Sequence, residues 1–177
     1  LYVGTLEPRK NLPIFLKAFQ QAQAELPDFK LVIAGKKGWL YSDIFATVQS
    51  LGLTDRVIFT DFVPDEDLPA LYTLAQLFVY PSLYEGFGLP VLEAMACGAP
   101  VLCSNTSSLP EVAGEAAILI NPNDVRGWAQ AMAQVIKNET LRDDLIQRGF
   151  RQAARFTWEA TARQTRQLYR ELYAHRP

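Results

Sequence analysis

The stretch Leu77-Phe78-Val79-Tyr80-Pro81-Ser82-Leu83-Tyr84-Glu85-Gly86-Phe87-Gly88-Leu89-Pro90-Val91-Leu92-Glu93-Ala94-Met95-Ala96-Cys97-Gly98 reads as a strand, a loop and a helix in direct succession. Leu77–Tyr80 is apolar without alternation, as a strand buried on both faces of a parallel sheet is. Pro81–Gly88 carries two glycines, and a helix follows. On that helix Leu89, Leu92 and Ala96 share an apolar face, with Glu93 off the stripe. A glycine-bearing turn that opens a helix presents free backbone N–H groups, which attract phosphate. The carboxylates Glu85 and Glu93, eight positions apart, flank this turn. An anion in the loop with a hydroxyl acceptor on either side is the arrangement that a nucleotide sugar requires.

The same alternation extends in both directions. Strands are expected at Leu1–Gly4, Lys30–Ala34, Val57–Thr60, Leu77–Tyr80, Ala99–Cys103 and Ala117–Ile120. Helices fill the gaps. The first shows Leu12, Phe15, Leu16 and Phe19 at helical spacing and is closed by Pro27. The second covers Ser42–Leu51, and the third covers Asp65–Ala75 with acidic residues in its first turn. Alternating strands and helices with right-handed crossovers give an α/β fold, a Rossmann-like doubly wound parallel sheet of about six strands. After Ile120 only helices follow. One is capped by Asp124 and bears Trp128, Met132, Val135 and Ile136, one spans Glu139–Phe156, and one runs from Thr157 to Ala174. With no linker or internal repeat, residues 1–177 read as one domain. Ligands of open parallel sheets bind outside the carboxyl ends of the strands, so three loops converge there by topology: Gly4–Asn11, Gly35–Trp39 and Pro81–Gly88.

Composition narrows the function. At 177 residues the chain can bury a core, and a net charge of −2 argues against nucleic acid or an anionic membrane as a partner. No apolar run approaches the roughly 20 residues that span a bilayer. The only histidine is His175, near a C-terminus expected to fray, which disfavours a Ser-His-Asp triad and a His-ligated zinc. Cys97 and Cys103 are expected as buried free thiols of a reducing compartment. The glycosylation pattern Asn105-Thr106-Ser107 is too common by chance to carry weight. The opening Leu1-Tyr2-Val3-Gly4, without an initiating Met, reads as a fragment of a longer protein.

In Gly4-Thr5-Leu6-Glu7-Pro8-Arg9-Lys10-Asn11 two cations follow a strand-end glycine and precede a helix. Arg binds phosphate by its fork and Lys as a point charge. The strand-end position favours phosphate binding for Lys10 and leaves Arg9 balanced between ligand and solvent. Alone, Glu85 would read as a surface carboxylate beside a turn and Glu93 as a helix residue paired with a cation; together with the intervening glycines they become specific. Gly35-Lys36-Lys37-Gly38-Trp39 is equally a ligand flank or an exposed turn. Phe62-Val63-Pro64 could face a base ring, although core packing is the expectation for Phe62. Ser82, Tyr84, Trp128 and Trp158 are expected to be structural.

The interval Glu85–Glu93 resembles the Glu-x7-Glu motif of retaining glycosyltransferases of the GT-B fold, family 4 (glycosyl transferases group 1). Tyr2-Val3-Gly4-Thr5 through Arg9-Lys10-Asn11, Pro81-Ser82, Ser108-Leu109-Pro110-Glu111-Val112 and Ile120-Asn121-Pro122-Asn123-Asp124 resemble it too, so nearly the whole chain is covered. The resemblance implies the C-terminal, donor-binding half of a two-domain enzyme whose sugar nucleotide lies in a cleft between domains. It implies that Glu85 bonds hydroxyls of the transferred sugar and that Glu93 takes the ribose hydroxyls. Lys10, with Arg9, would neutralise the diphosphate, helped by the backbone of Gly86, Phe87, Gly88 and Leu89. The loop at Val63 would meet the base, and Gly4 and Thr5 would form the phosphate loop. Several relatives carry an Arg directly after the glycine matching Gly4. Here Thr5 stands in that place, which makes Arg9 the candidate for the second cation.

The implied activity is transfer of a hexose from a nucleotide sugar to a saccharide or lipid acceptor, with retention and without a metal or cofactor. GDP-mannose is slightly preferred as donor over UDP-glucose, because the opening loop looks most like mannosyltransferases. The implied setting is polysaccharide assembly in the cytoplasm, with the parent peripheral at the inner face of the membrane. The fragment would be inactive without its N-terminal domain. Alternatives are a GT-B phosphorylase, a nucleotide-sugar epimerase, or a non-catalytic nucleotide-binding module.

Overall fold

The computed structural model describes residues 1–174, so His175 lies outside the described residues. The elements in chain order are β1 (Tyr2–Val3), α1 (Leu12–Ala22), β2 (Leu31–Ala34), α2 (Ser42–Ser50), β3 (Val57–Asp61), α3 (Leu68–Leu74) and β4 (Phe78–Tyr80). They continue with α4 (Leu89–Ala96), β5 (Val101–Ser104), α5 (Leu109–Ala113), β6 (Ala117–Ile120), α6 (Val125–Lys137), α7 (Glu139–Ala153) and α8 (Trp158–Ala174).

The strands form two parallel three-stranded sheets, ordered β1-β2-β3 and β4-β5-β6. They abut at β1 and β4, where the Val79 N–H donates to the Leu1 carbonyl at 2.9 Å and the Leu1 nitrogen to the Leu77 carbonyl at 2.8 Å. The order across this seam is 3-2-1-4-5-6, the doubly wound arrangement that the alternation predicts. It falls into two ladders, rather than one of six strands, because β1 has only two residues with which to pair on both sides.

Burial explains each element. Leu12, Phe15, Leu16 and Phe19 are all buried, as their spacing predicts, and Phe15 meets the Trp128 ring edge-on at 5.5 Å, which fastens α1 to α6. A buried side chain of this kind contributes roughly 1.5–3 kcal/mol before entropy is subtracted. Every residue of β5 is buried, whereas the edge strand β3 exposes Ile58, Thr60 and Asp61.

Several boundaries differ from expectation. The first helix ends at Ala22, not Pro27, because the Gln23 N–H tightens onto the Gln20 carbonyl. The third begins at Leu68, leaving Asp65, Glu66 and Asp67 in the turn before it, since Pro69 is suited to the first turn. The structure adds α5 and a 3₁₀ turn at Pro8–Lys10 to the expected elements.

α4 corrects the expected apolar stripe. Leu89 and Ala96 are exposed, and the buried face is Val91, Ala94 and Met95 with Leu92, because α4 packs on one side against the sheet and on another against α7. Three aromatics expected to be internal or structural are also exposed: Phe62, Tyr84 and Trp158. No residue of α8 is buried. Among the described residues, no helix is long and apolar enough to cross a membrane.

Candidate active site

The order 3-2-1-4-5-6 reverses direction between β1 and β4. Loops leaving these strands diverge there and open a crevice at the carboxyl ends. The loop after β1 delivers Arg9 and Lys10, and the loop after β4 delivers Glu85.

The first loop is held in place by its neighbours. The Leu6 N–H donates to the Lys36 carbonyl at 2.9 Å and the Gly38 N–H to the Leu6 carbonyl at 3.0 Å, so the loops after β1 and β2 are zipped together. Gly35 is required at this junction. Its φ is +153°, and a Cβ there would stand 2.0 Å from the Gly4 carbonyl oxygen. Asn11, in the left-handed region at φ 58°, ends the 3₁₀ turn. Its buried amide donates to the Pro81 carbonyl at 3.2 Å and the Pro122 carbonyl at 2.8 Å. The Leu83 N–H donates to the Arg9 carbonyl at 2.8 Å. The two loops that carry opposite charges are therefore joined through their backbones.

Glu85 is gripped by both cations. Lys10 Nζ lies 2.6 Å from Oε1 and Arg9 donates to Oε2 at 2.7 Å. Lys10 also donates to the Tyr80 hydroxyl at 2.9 Å. Arg9 reaches the Tyr84 carbonyl at 3.1 Å and Glu7 at 2.7 Å. Lys10 and Glu85 are buried, and Arg9 is exposed. Burial alone would push the Glu85 carboxyl up, but hydrogen bonds from Lys10 and Arg9 outweigh it and hold it below the usual carboxylate value. The Arg9 guanidinium is raised in turn, mainly by its bond to Glu85. Burial, reinforced by the charge of Glu85, raises the Tyr80 phenol, so it stays protonated.

The Glu85 backbone is held as firmly. Its N–H donates to Ser107 Oγ at 3.0 Å, while the Ser108 hydroxyl lies 3.0 Å from the Glu85 carbonyl and 2.7 Å from that of Phe87. From Glu85 the chain runs through Gly86 and Phe87 to Gly88, the N-cap of α4 at φ 109°. No side chain caps this end; Pro90 has no N–H and the Val91 N–H donates to the Gly88 carbonyl at 3.0 Å, so within the first turn the Leu89 N–H is the one left for a ligand. One turn on, Glu93 is exposed and its Oε2 accepts from the Tyr72 hydroxyl at 2.8 Å. Glu93 lines a groove of about 430 Å³ with Leu89, Leu92 and Ala96, faced by Phe87, Phe156 and Trp158.

Lys10, Arg9 and Glu85 thus meet directly, and Gly86, Phe87, Gly88 and Leu89 connect them to Glu93. Thr5 is exposed and Gly4 half-buried behind the cations. Val63 is half-buried beyond the end of β3, two strands from β1. Lys36 Nζ lies 4.2 Å from the Phe62 ring centroid, which gives that exposed ring a partner other than the core. Asn11, Tyr72, Tyr80, Ser107 and Ser108 support the site without having been singled out in the sequence. Asn11 and Ser108 fall inside the stretches that resemble the family; Tyr80 ends a strand expected to be buried, and Tyr72 lies unremarked in the expected third helix.

Residues 1–152 match the family model described as glycosyl transferases group 1. The chain belongs to this family. An O-antigen chain mannosyltransferase B of Escherichia coli is 43% identical over 97% of this chain and 45% of its own length. A sucrose-phosphate synthase from Thermosynechococcus elongatus superposes with a TM-score of 0.84 at 33% identity, over 99% of this chain and 45% of that one. The C-terminal domain of a glycosyl transferase group 1 family protein (LpcC) from Francisella tularensis superposes with a TM-score of 0.77 at 25% identity, over 86% of this chain and 83% of that one. This group 1 chain therefore has the fold of one Rossmann-like half of a GT-B glycosyltransferase. It spans less than half the length of the mannosyltransferase and the synthase that it matches.

Proposed function

We propose that this domain holds the nucleoside-diphosphate sugar of a retaining glycosyltransferase that moves a hexose to a saccharide or lipid-linked acceptor. The observation that carries the reading is the Lys10–Glu85–Arg9 cluster at the switch point, next to the uncapped N-terminus of α4. Departure of a nucleoside diphosphate develops negative charge on its oxygens. Two fixed cations and a helix terminus stabilise that charge most where water is excluded. Lys10 and Arg9 are the residues assigned to the diphosphate, with Gly86, Phe87, Gly88 and Leu89 adding backbone N–H groups. Glu85 is assigned to hydroxyls of the transferred sugar and Glu93 to those of the ribose. Gly4 and Thr5 shape the phosphate loop, and Val63 borders the base.

With no Arg directly after Gly4, Arg9 supplies the second cation, which its 2.7 Å contact with Glu85 supports. The mannosyltransferase relative favours GDP-mannose, with UDP-glucose next, and favours polysaccharide assembly as the setting. The parent would act on the cytoplasmic side, peripheral to the membrane. The 45% of the mannosyltransferase and of the synthase that the chain spans, beside its likeness to the C-terminal domain of the Francisella tularensis protein, supports reading residues 1–177 as the C-terminal half of a two-domain protein. The N-terminal half would supply the acceptor wall, so this chain alone would bind donor without transferring it.

Calorimetric titration with GDP, UDP and ADP, repeated on Glu93→Ala, tests the assignment. Binding of one nucleotide that the substitution weakens is expected. If the full-length protein in folded form binds none of the three, the assignment fails.

A further inference from the structure

Beneath the site runs a continuous row of aromatic rings. Tyr2 stacks on Tyr80 at 6.2 Å, Tyr80 on Phe78 at 5.9 Å, and Phe78 meets the edge of Tyr72 at 5.4 Å. All four side chains are buried. Two of the rings end in hydroxyls that leave the core and touch the functional groups: Tyr80 reaches Lys10 at 2.9 Å and Tyr72 reaches Glu93 at 2.8 Å.

We propose that this aromatic row is the positioning device of the site, with the Tyr72 hydroxyl fixing the carboxylate of Glu93 and the Tyr80 hydroxyl fixing the ammonium of Lys10. The proposal rests on the donor-site reading above.

An exposed glutamate on a helix surface samples many rotamers, and holding it still costs entropy that a ligand would otherwise have to supply. A tyrosine ring has only two torsions, and here both are locked by neighbouring rings. Its hydroxyl is therefore a rigid donor. It occupies Glu93 Oε2 and leaves Oε1 to accept from a ligand hydroxyl. At the other end, Lys10 has three donors. Two go to Tyr80 and Glu85, and the third is left for an anion. Phe78 joins the two tyrosines, so the core sets the separation of carboxylate and ammonium. Burial and the neighbouring Glu93 charge keep the Tyr72 phenol protonated, so it remains a donor.

A hydroxyl that only satisfied the core would affect stability alone, which makes the two roles separable. The test is a double-mutant cycle in the full-length protein, with GDP and UDP binding read by calorimetry and folding by thermal melting. Tyr72→Phe keeps the ring and is expected to weaken nucleotide binding about tenfold, the weight of one hydrogen bond to a charged group. In the Glu93→Ala background the same change is expected to have no further effect on binding, because the group it positions is gone. Tyr80→Phe is expected to behave likewise against Lys10→Met. Since Glu93 is exposed, the first cycle stands even if Lys10→Met fails to fold.

Wild-type affinity in Tyr72→Phe, beside a weakened Glu93→Ala, overturns the positioning role and leaves the donor site standing. Additive losses in the double variant overturn it as well. Unchanged binding in Glu93→Ala removes the donor-site reading, and the proposal with it.

Discussion

Lys10 and Glu85, 75 residues apart in the chain, are joined Nζ to Oε1 at 2.6 Å with both side chains more than nine-tenths buried. Arg9 takes the other carboxylate oxygen. Glu85 therefore fixes both cations beside the loop that leads to α4. On the proposed donor-site reading, donor binding would be an exchange in which phosphate oxygens take the third Lys10 donor and the Arg9 guanidinium while Glu85 Oε2 turns to sugar hydroxyls.

This exchange makes Glu85→Gln informative. The amide retains the shape and removes the competing charge. In the full-length protein, nucleoside diphosphate binding should persist or tighten, while transfer should fall by about 100-fold or more, the usual cost of one transition-state contact. Calorimetry with GDP and UDP, beside a product assay, separates the two effects. Loss of nucleotide binding would contradict the exchange.

Lys10→Met removes the buried cation and leaves Glu85 with Arg9 alone. Breaking a buried ion pair costs on the order of 3 kcal/mol, so a lower urea midpoint is expected together with loss of transfer. Unchanged stability would mean that the pair is solvated in solution.

The pH dependence follows from Glu85. Its folded pKa is below the ordinary value of 4.5, so the folded state binds this proton less readily than the unfolded chain. The stability that it contributes is complete above pH 4.5 and is lost as pH falls through the lower folded value. Melting temperatures from pH 7 downward should decline less steeply below pH 4.5 in Glu85→Gln than in the wild type. Parallel curves would refute the pairing.

Two glycines should behave oppositely. A Cβ on Gly35 would stand 2.0 Å from the Gly4 carbonyl oxygen, and neither backbone can yield without opening the loop junction. Gly35→Ala should cost more than about 3 kcal/mol. A Cβ on Gly86 would have nothing within 4 Å, so Gly86→Ala should melt like the wild type even where it impairs ligand binding. Equal melting temperatures for the two variants would refute the close approach.

The thiols can be ranked as well. Burial pushes Cys103 up to about 12, and it lies in the fully buried β5, whereas Cys97 is partly accessible. At pH 8 a thiol reagent should modify at most Cys97 in the folded protein and reach Cys103 only on unfolding. Rapid reaction of both would show that β5 opens.

Much of the fold was legible because periodicity reports burial locally. The runs read as strands at Lys30–Ala34, Leu77–Tyr80 and Ala99–Cys103, alternating with helical stripes such as Leu12, Phe15, Leu16 and Phe19, suffice for a parallel doubly wound sheet, and strands form there at Leu31–Ala34, Phe78–Tyr80 and Val101–Ser104. The glycine loop between Glu85 and Glu93 and the cations after β1 were equally plain, since strand-end loops of such a sheet meet at one edge. The helix starting at Leu109 and the true buried face of α4 were not. A five-residue helix carries too little periodicity to register, and the rotation of α4 is decided by α7, which packs on it from far along the chain.

The order of residues by itself determined that a glycine-bearing turn opening a helix lies between two carboxylates and that two adjacent cations follow the first strand, because residue type and local spacing are all that this requires. Only the tertiary structure decided that Lys10 is buried against Glu85 while Arg9 stays at the surface, that Asn11 joins two loops, and that Tyr72 and Tyr80 reach out of the core to Glu93 and Lys10. Those choices depend on the reversal of strand order between β1 and β4, which brings together side chains from opposite halves of the sheet. No local pattern encodes a pairing made across that distance.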